Sequence, residues 1–372
     1  MDSILDWEEK VAELRRSKSE VYDILNQIYL HYSAEGTMII PETFKDKALT
    51  YMGDKSLPSS EALERIENQR ILKIYNKWTG EGTVFNSLRA QRPGLVIENK
   101  SKKLENLIKE TEKNCDFCNP EKYTPEDPFG RIKGEHSITA SNLAKYDVWS
   151  SLLIFRKHNP LDFNQWEISD YIDTAFNWFN RVYQYDSSYQ FPFLVWNCLY
   201  KSGASQVHGH AQLLVTRDFP YAKIGNLYKA AHNYKDTYNK DYFKDLYYLH
   251  QALGLANSKG NVKILVNISP IKEKEILIIS PDRPSSSPDA KEVVYQVLRC
   301  YIDVLGVESF NLAIQCPPIN YENFPYIIKI VDRGKLFTKT VDMGGMELYG
   351  SSVASEDPYM VMKALREYLG KF

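Results

Sequence analysis

Two imidazoles and a carboxamide alternate along Ser205-Gln206-Val207-His208-Gly209-His210-Ala211-Gln212, and the segment continues apolar through Leu213-Leu214-Val215. Successive side chains of an extended backbone take opposite faces, so His208, His210 and Gln212 are expected to share one face of a strand. Gly209 and Ala211 leave little bulk on the reverse face. One histidine on such a strand is ordinarily a half-buried polar residue. Two of them with a glutamine at period two describe a reaction site. A neutral imidazole attacks phosphorus competently near pH 7, and the resulting phosphoramidate passes its group onward. On this reading His210 is the nucleophile and Gln212 donates to a non-bridging phosphate oxygen as charge gathers there. Ser205, read as the strand start, adds a hydroxyl donor to the leaving phosphate.

His210 stays free to react only if its neighbour His208 is held elsewhere. Cys115-Asp116-Phe117-Cys118 is a short-spaced thiol pair able to approach one tetrahedral ion. No second such pair exists, so further ligands must be carboxylates or come from the seven histidines, His31, His136, His158, His208, His210, His232 and His250. His158 follows the apolar stretch Leu152 to Phe155 in a turn with Asn159-Pro160, a natural ligand-presenting position. Cys115, Cys118, His158 and His208 are therefore read as a closed zinc site, structural because four protein ligands leave no open position. The alternative is two unliganded thiols and a turn histidine. Upstream, Arg89-Ala90-Gln91-Arg92-Pro93 sets two guanidinium groups three apart, suited to phosphate by their fork geometry. Taken alone, two solvated arginines is the better reading of that pair.

The surrounding chain is of an ordinary globular kind. Its 372 residues are 43% hydrophobic and 25% charged, enough for a large core and more than one structural unit. Formal net charge is -2 with a pI near 6.4, and the charges are interspersed, which argues against nucleic acid or a membrane surface as partner. The first residues carry no basic or apolar leader, and no segment is long enough to span a bilayer, so a cytoplasmic protein is expected. Five cysteines with one close pair fit a reducing compartment better than a disulfide framework.

The elements that must position the site follow from periodicity. Residues 1–80 read as a helical extension, with apolar residues at helical spacing in Trp7 to Ile28 and again in Glu61 to Trp78. Residues 81–218 read as short strands around one helix: strands at Ser150 to Phe155 and Phe191 to Leu199, a helix at Gln165 to Tyr185, then the histidine strand. The small residues Lys201 to Ser205 make a turn, so Phe191 to Val215 is two neighbouring strands. Residues 219–372 open with Tyr-rich helices to 256. Strands return at Val262–Asn267, Glu275–Ser280, Phe310–Gln315 and Tyr326–Val331, with helices over Ala290–Leu305 and Pro358–Leu369. This second half echoes the element order of the first.

The run Asn197 to Gln212 resembles the active-site segment of galactose-1-phosphate uridylyltransferases, within the histidine-triad superfamily. Its Asn197, Gly203, Ser205, His208, His210 and Gln212 fall at matching spacing without a gap. The resemblance extends to Arg89 and Arg92, to Cys115 and Cys118, and to His158, covering about residues 83–216. It implies an α+β fold of two histidine-triad-like halves, each an antiparallel sheet with flanking helices, beside the N-terminal helical extension. It implies His210 as nucleophile, Gln212 on the transferred phosphate, zinc on the two cysteines with His158 and His208, substrate contacts from Arg89, Arg92, Asn197 and Gly203, and a homodimer. The second half departs from the pattern. No histidine follows His250 to hold a second metal, and although Glu347 stands where the sugar-binding glutamate would be, Val353 replaces its downstream glutamine.

Three functions remain open at this level. The first is transfer of a nucleoside monophosphate from a nucleotide sugar, through nucleotidyl-His210, to a sugar 1-phosphate. The second is a nucleotide-sugar or dinucleoside polyphosphate phosphorylase using the same intermediate with phosphate as acceptor. The third is a non-catalytic, zinc-stabilised nucleotide-binding protein.

Overall fold

The computed structural model describes residues 3–91, 100–321, 323–338 and 343–370. Its strands are β1 (Tyr29–Thr37), β2 (Asn68–Asn76), β3 (Gly82–Phe85), β4 (Ser137–Ser141), β5 (Trp149–Phe155), β6 (Phe191–Cys198), β7 (His210–Thr216), β8 (Ala256–Lys259), β9 (Val262–Val266), β10 (Ile276–Ser280), β11 (Phe310–Gln315), β12 (Tyr326–Asp332) and β13 (Ser352–Ala354). Nine of them form one sheet in the order β4-β5-β7-β6-β11-β12-β10-β9-β8. Every neighbouring pair in it is antiparallel.

The echo in the sequence appears here as an arrangement. The first half runs β4, β5, helix, β6, β7 and orders its strands β4-β5-β7-β6; the second runs β9, β10, helix, β11, β12 and orders them β9-β10-β12-β11. The two expected sheets are one continuous sheet, because β6 pairs with β11 from Phe310↔Cys198 to Gln315↔Phe193. The chain is α+β.

The long helix Gln165–Tyr185 starts on a capping box in which the Asn164 side chain accepts from the Glu167 N–H and Glu167 reaches back to the Asn164 N–H. Its Ile168, Ile172, Ala175, Phe179 and Val182 recur at helical spacing and are buried with Leu153, Leu194, Ala211, Leu213 and Val215 from the sheet. Each large side chain so buried contributes about 1.5–3 kcal/mol. One face of β7 is thereby committed to core. The other carries His210 and Gln212, and beside it Ile138, Ala140 and Ile154 make a separate small cluster with Phe117 and Leu152.

The N-terminal layer corrects the helical expectation. Helices Trp7–Arg16 and Glu20–Ile28 lie where periodicity places them, but the helix beginning at Ser59 ends at Glu67 and the chain turns into β2. From Leu72 the apolar residues alternate rather than recur at 3.6, with Leu72, Ile74 and Asn76 buried, and β2 pairs with β1 from Tyr29↔Asn76 to Thr37↔Asn68. This sheet runs β1-β2-β3-β13, and β13 joins β3 in parallel. The layer is therefore built from both ends of the chain, and Ser3 Oγ donates to Asp357 Oδ2 across it at 2.5 Å. No described helix is long and apolar enough to cross a membrane.

Candidate active site and metal centre

The strand expected to start at Ser205 starts at His210. Residues 205–209 are an irregular loop, so only His210 and Gln212 project from β7, while His208 lies ahead of it. The cause is local. Phe155 N–H donates to Gly209 O at 3.0 Å and Gly209 N–H donates to His158 O at 3.1 Å, which stitches the loop to the end of β5. A Cβ on Gly209 would stand 2.6 Å from the Phe155 ring. That ring is itself stacked on Tyr171 with centroids 3.8 Å apart and meets Trp196 edge-on, so it has nowhere to go. Gly209 is needed for that close approach. The two imidazoles nevertheless flank a common neighbour, Phe117, with centroids 5.8 Å from His208 and 5.3 Å from His210.

Hydrogen bonds fix the tautomer of each ring. His210 Nδ1 lies 2.8 Å from His208 O; a carbonyl only accepts, so Nδ1 carries the proton and Nε2 keeps its lone pair. His210 is only 6% exposed, and burial holds its pKa below the ordinary histidine value. The ring is neutral at pH 7. His208 Nε2–H donates to Phe155 O at 2.8 Å, leaving Nδ1 bare, and burial lowers its pKa to about 4. His158 Nε2 lies 3.0 Å from Thr111 Oγ1, whose own proton goes to the carbonyls of Leu107 and Ile108, so His158 also presents a bare Nδ1.

Those two bare nitrogens converge. Together with the sulfurs of Cys115 and Cys118 they all lie within 4.8 Å of one another. His158 Nδ1 is 3.2 Å from His208 Nδ1, Cys115 Sγ is 3.4 Å from His208 Nδ1, and Cys118 Sγ is 3.5 Å from each imidazole nitrogen. Metal–sulfur bonds of about 2.3 Å and metal–nitrogen bonds of about 2.05 Å in a tetrahedron imply edges of about 3.3–3.8 Å, so the donor set fits such an ion. Burial, with Cys115 beside it, pushes the Cys118 thiol up to about 12. Two adjacent thiolates need a cation between them. The cluster could hold a metal ion.

The other expected residues are less concentrated. Gln212 is half-buried in register with Leu152 of β5 and Val195 of β6. Asn197 lies on β6 opposite Asn311 of β11, whose Nδ2 donates to Asn197 Oδ1 at 2.6 Å. Gly203 occupies a left-handed turn at φ 96° where a side chain would be strained. Ser205 is exposed on the loop rather than at a strand start. Arg89 sits on the short helical turn Ser87–Gln91, and Arg92 lies outside the described residues. Glu347 accepts from Lys272 Nζ and from Gly344 N–H, each at 2.7 Å, which engages both its carboxylate oxygens.

Sequence reading passed over Thr111, Phe117, Asn311 and Arg333. Thr111 stands four residues before Cys115 and Phe117 stands inside the thiol pair, so both were findable by proximity. Asn311 meets Asn197 only through the pairing of β6 with β11, and Arg333, just after β12, donates to Asn311 Oδ1.

No protein-family model matches the chain, and no curated protein matches its sequence. Its fold is shared with solved structures. An ADP-glucose phosphorylase from Arabidopsis thaliana with bound ADP-glucose matches with a TM-score of 0.60 at 16% identity, over 78% of this chain and 96% of that one. A GalT-like protein from Arabidopsis thaliana matches at 0.56 and 17% identity, over 68% and 92%. A uridylyltransferase matches at 0.55 and 12% identity, over 80% and 98%.

Proposed function

We propose that the chain, whose fold is shared with the ADP-glucose phosphorylase, the GalT-like protein and the uridylyltransferase, is a nucleotidyltransferase of the uridylyltransferase-like branch of the histidine-triad superfamily, acting through a covalent nucleotidyl-His210 intermediate. The observation that carries the reading is the forced tautomer of His210: Nδ1–H is held by His208 O, and Nε2 has no hydrogen bond to any described residue. Nε2 attacks the α-phosphorus of a nucleotide sugar. The bond from phosphorus to the bridging oxygen breaks, and sugar 1-phosphate leaves with the electron pair. The imidazole keeps its Nδ1 proton, so its ring is cationic in the intermediate, and the His208 carbonyl stabilises that charge. Gln212 donates to a non-bridging oxygen. A phosphate oxygen of a second sugar 1-phosphate then attacks the same phosphorus and frees Nε2.

Cys115, Cys118, His158 and His208 would hold zinc, which there supplies rigidity rather than a reaction step. The knuckle keeps Phe117 over both imidazoles and the His208 carbonyl in place. A phosphorylase, in which inorganic phosphate is the acceptor, shares the first half-reaction; likeness to the ADP-glucose phosphorylase favours keeping it as a second reading. Incubation with UDP-, ADP- and GDP-sugars followed by mass measurement of the trapped protein identifies the transferred nucleotide. A chase with hexose 1-phosphates or with phosphate then separates the acceptors. Absence of an acid-labile adduct with every donor refutes both readings and leaves a non-catalytic nucleotide-binding protein.

A further inference from the structure

We infer that Arg333, acting through Asn311, sets the Asn197 amide so that its N–H groups face the phosphate carried by His210. The inference deepens the reading just given and rests on it.

The argument begins with what a guanidinium can do. It only donates, so the Asn311 atom that Arg333 Nη1 meets is the oxygen Oδ1, and the Asn311 NH2 is turned the other way. That NH2 donates to Asn197 Oδ1 at 2.6 Å and to Ser202 O at 3.1 Å. Asn197 must therefore present its oxygen to Asn311, and its own NH2 is left for the open face of the sheet. The orientation of both amides follows from the cation.

Register places that NH2. Val195 is paired with Gln212 across β6 and β7, so both lie on one face. That pair is the last of the β6–β7 ladder, and Asn197 lies two residues further along β6 as His210 lies two residues back along β7, each on the face of the pair it follows. Charge therefore runs from a guanidinium through two aligned amides to a pair of donors beside the nucleophile. Hydrogen bonds polarised in series strengthen one another, and the group they suit is an anionic phosphoryl oxygen. Were Asn311 released, either amide could reverse and present a carbonyl oxygen to that anion.

The same bonds tie down the loop that leads to His208. Besides the Asn311 bond to Ser202 O, Tyr200 Oη donates to Leu336 O at 2.7 Å and Lys201 Nζ donates to Thr338 O at 3.1 Å. The backbone of Arg333 is fixed as well, its main-chain N–H donating to Ser309 O at 2.9 Å. The second half, which has no histidine after His250, thus supplies a positioning residue for the first.

The test uses the full-length chain and single-turnover formation of the His210 adduct, read by mass, with steady-state kcat and KM for the donor and with melting recorded beside them. Arg333→Gln and Asn311→Asp are each expected to slow adduct formation by about 10- to 100-fold, with kcat falling and donor KM changing little. An aspartate at 311 still accepts from Arg333 but can donate to neither Asn197 nor Ser202, so its melting, recorded beside the rate, separates the lost orientation from a loosened loop. Arg333→Lys keeps a cationic donor and should recover most of the rate. Wild-type rates in both Arg333→Gln and Asn311→Asp overturn the inference alone. A rate loss in Arg333→Gln that only follows a fall in melting, with Asn311→Asp unaffected, also overturns it. A wild-type chain that forms no adduct with any donor overturns it together with the parent reading.

Discussion

At the scale of single residues, the proposed chemistry rests on which ring nitrogen carries the proton. The His210 ring meets His208 only at its backbone carbonyl and bonds to none of the four donor atoms of the metal cluster, so His210→Gly should abolish turnover, by a factor on the order of 10⁴ or more, while metal content stays unchanged. A variant that loses metal and activity together would contradict this separation. His250 offers a different test, away from the site. It is fully buried, its Nδ1–H donates to Leu246 O at 2.8 Å, and burial lowers its pKa to about 4. The unfolded chain binds the proton near pH 6.5 and the folded chain does not until about pH 4. The folded pKa is depressed, so the unfolded state holds more protons throughout that window. Stability is then complete above pH 6.5 and falls as pH drops toward 4, by about 3 kcal/mol in all. Denaturation midpoints between pH 4.5 and 7.5 should lose about one proton's worth of slope in His250→Gln. An identical slope in the variant would count against a neutral buried ring.

Elements explain both what the sequence discloses and what it hides. The helix Gln165–Tyr185, β6, β7 and the helix Pro358–Leu369 are legible because each carries its own period and its own cap or turn. His158 is legible for the same reason, as a candidate ligand in a turn after an apolar strand. Two things are hidden. The helix expected through Trp78 gives way to β2 because pairing with β1 outweighs a pattern that fits either period over a few residues. His208 leaves the strand because Gly209 must admit the Phe155 ring, a contact between segments fifty residues apart. That contact makes Gly209→Ala a sharp probe: overpacking against a ring with no free side should cost about 1–3 kcal/mol and displace both imidazoles. The knuckle tests at the same scale. A bound ion stabilises the folded chain by its affinity, so chelation should lower the melting temperature by about 10 °C rather than leave an intact, inactive fold. Unchanged melting after complete metal removal would refute a structural role.

Across the whole molecule, the seam between the halves decides whether the chain behaves as two units or one. The ladder of β6 on β11 is backed by core on one face, where Leu194 and Trp196 meet Leu312 and Ile314. On the other face it carries the Asn197–Asn311 contact. Backbone pairing, core and site thus cross the same line, and the second half cannot loosen without releasing the loop that leads to His208. Leu312 is 3% exposed and directly opposite Trp196, so Leu312→Ala leaves a cavity at the seam worth about 2–5 kcal/mol. If the nine strands form one cooperative unit, that loss appears in full wherever unfolding is monitored. Tryptophan fluorescence, dominated by the first half, and far-UV circular dichroism, which samples both, should then move together to a lower midpoint. Two separated transitions in the variant, with the fluorescence midpoint unmoved, would show instead that the first half stands alone and that its site owes nothing to the second.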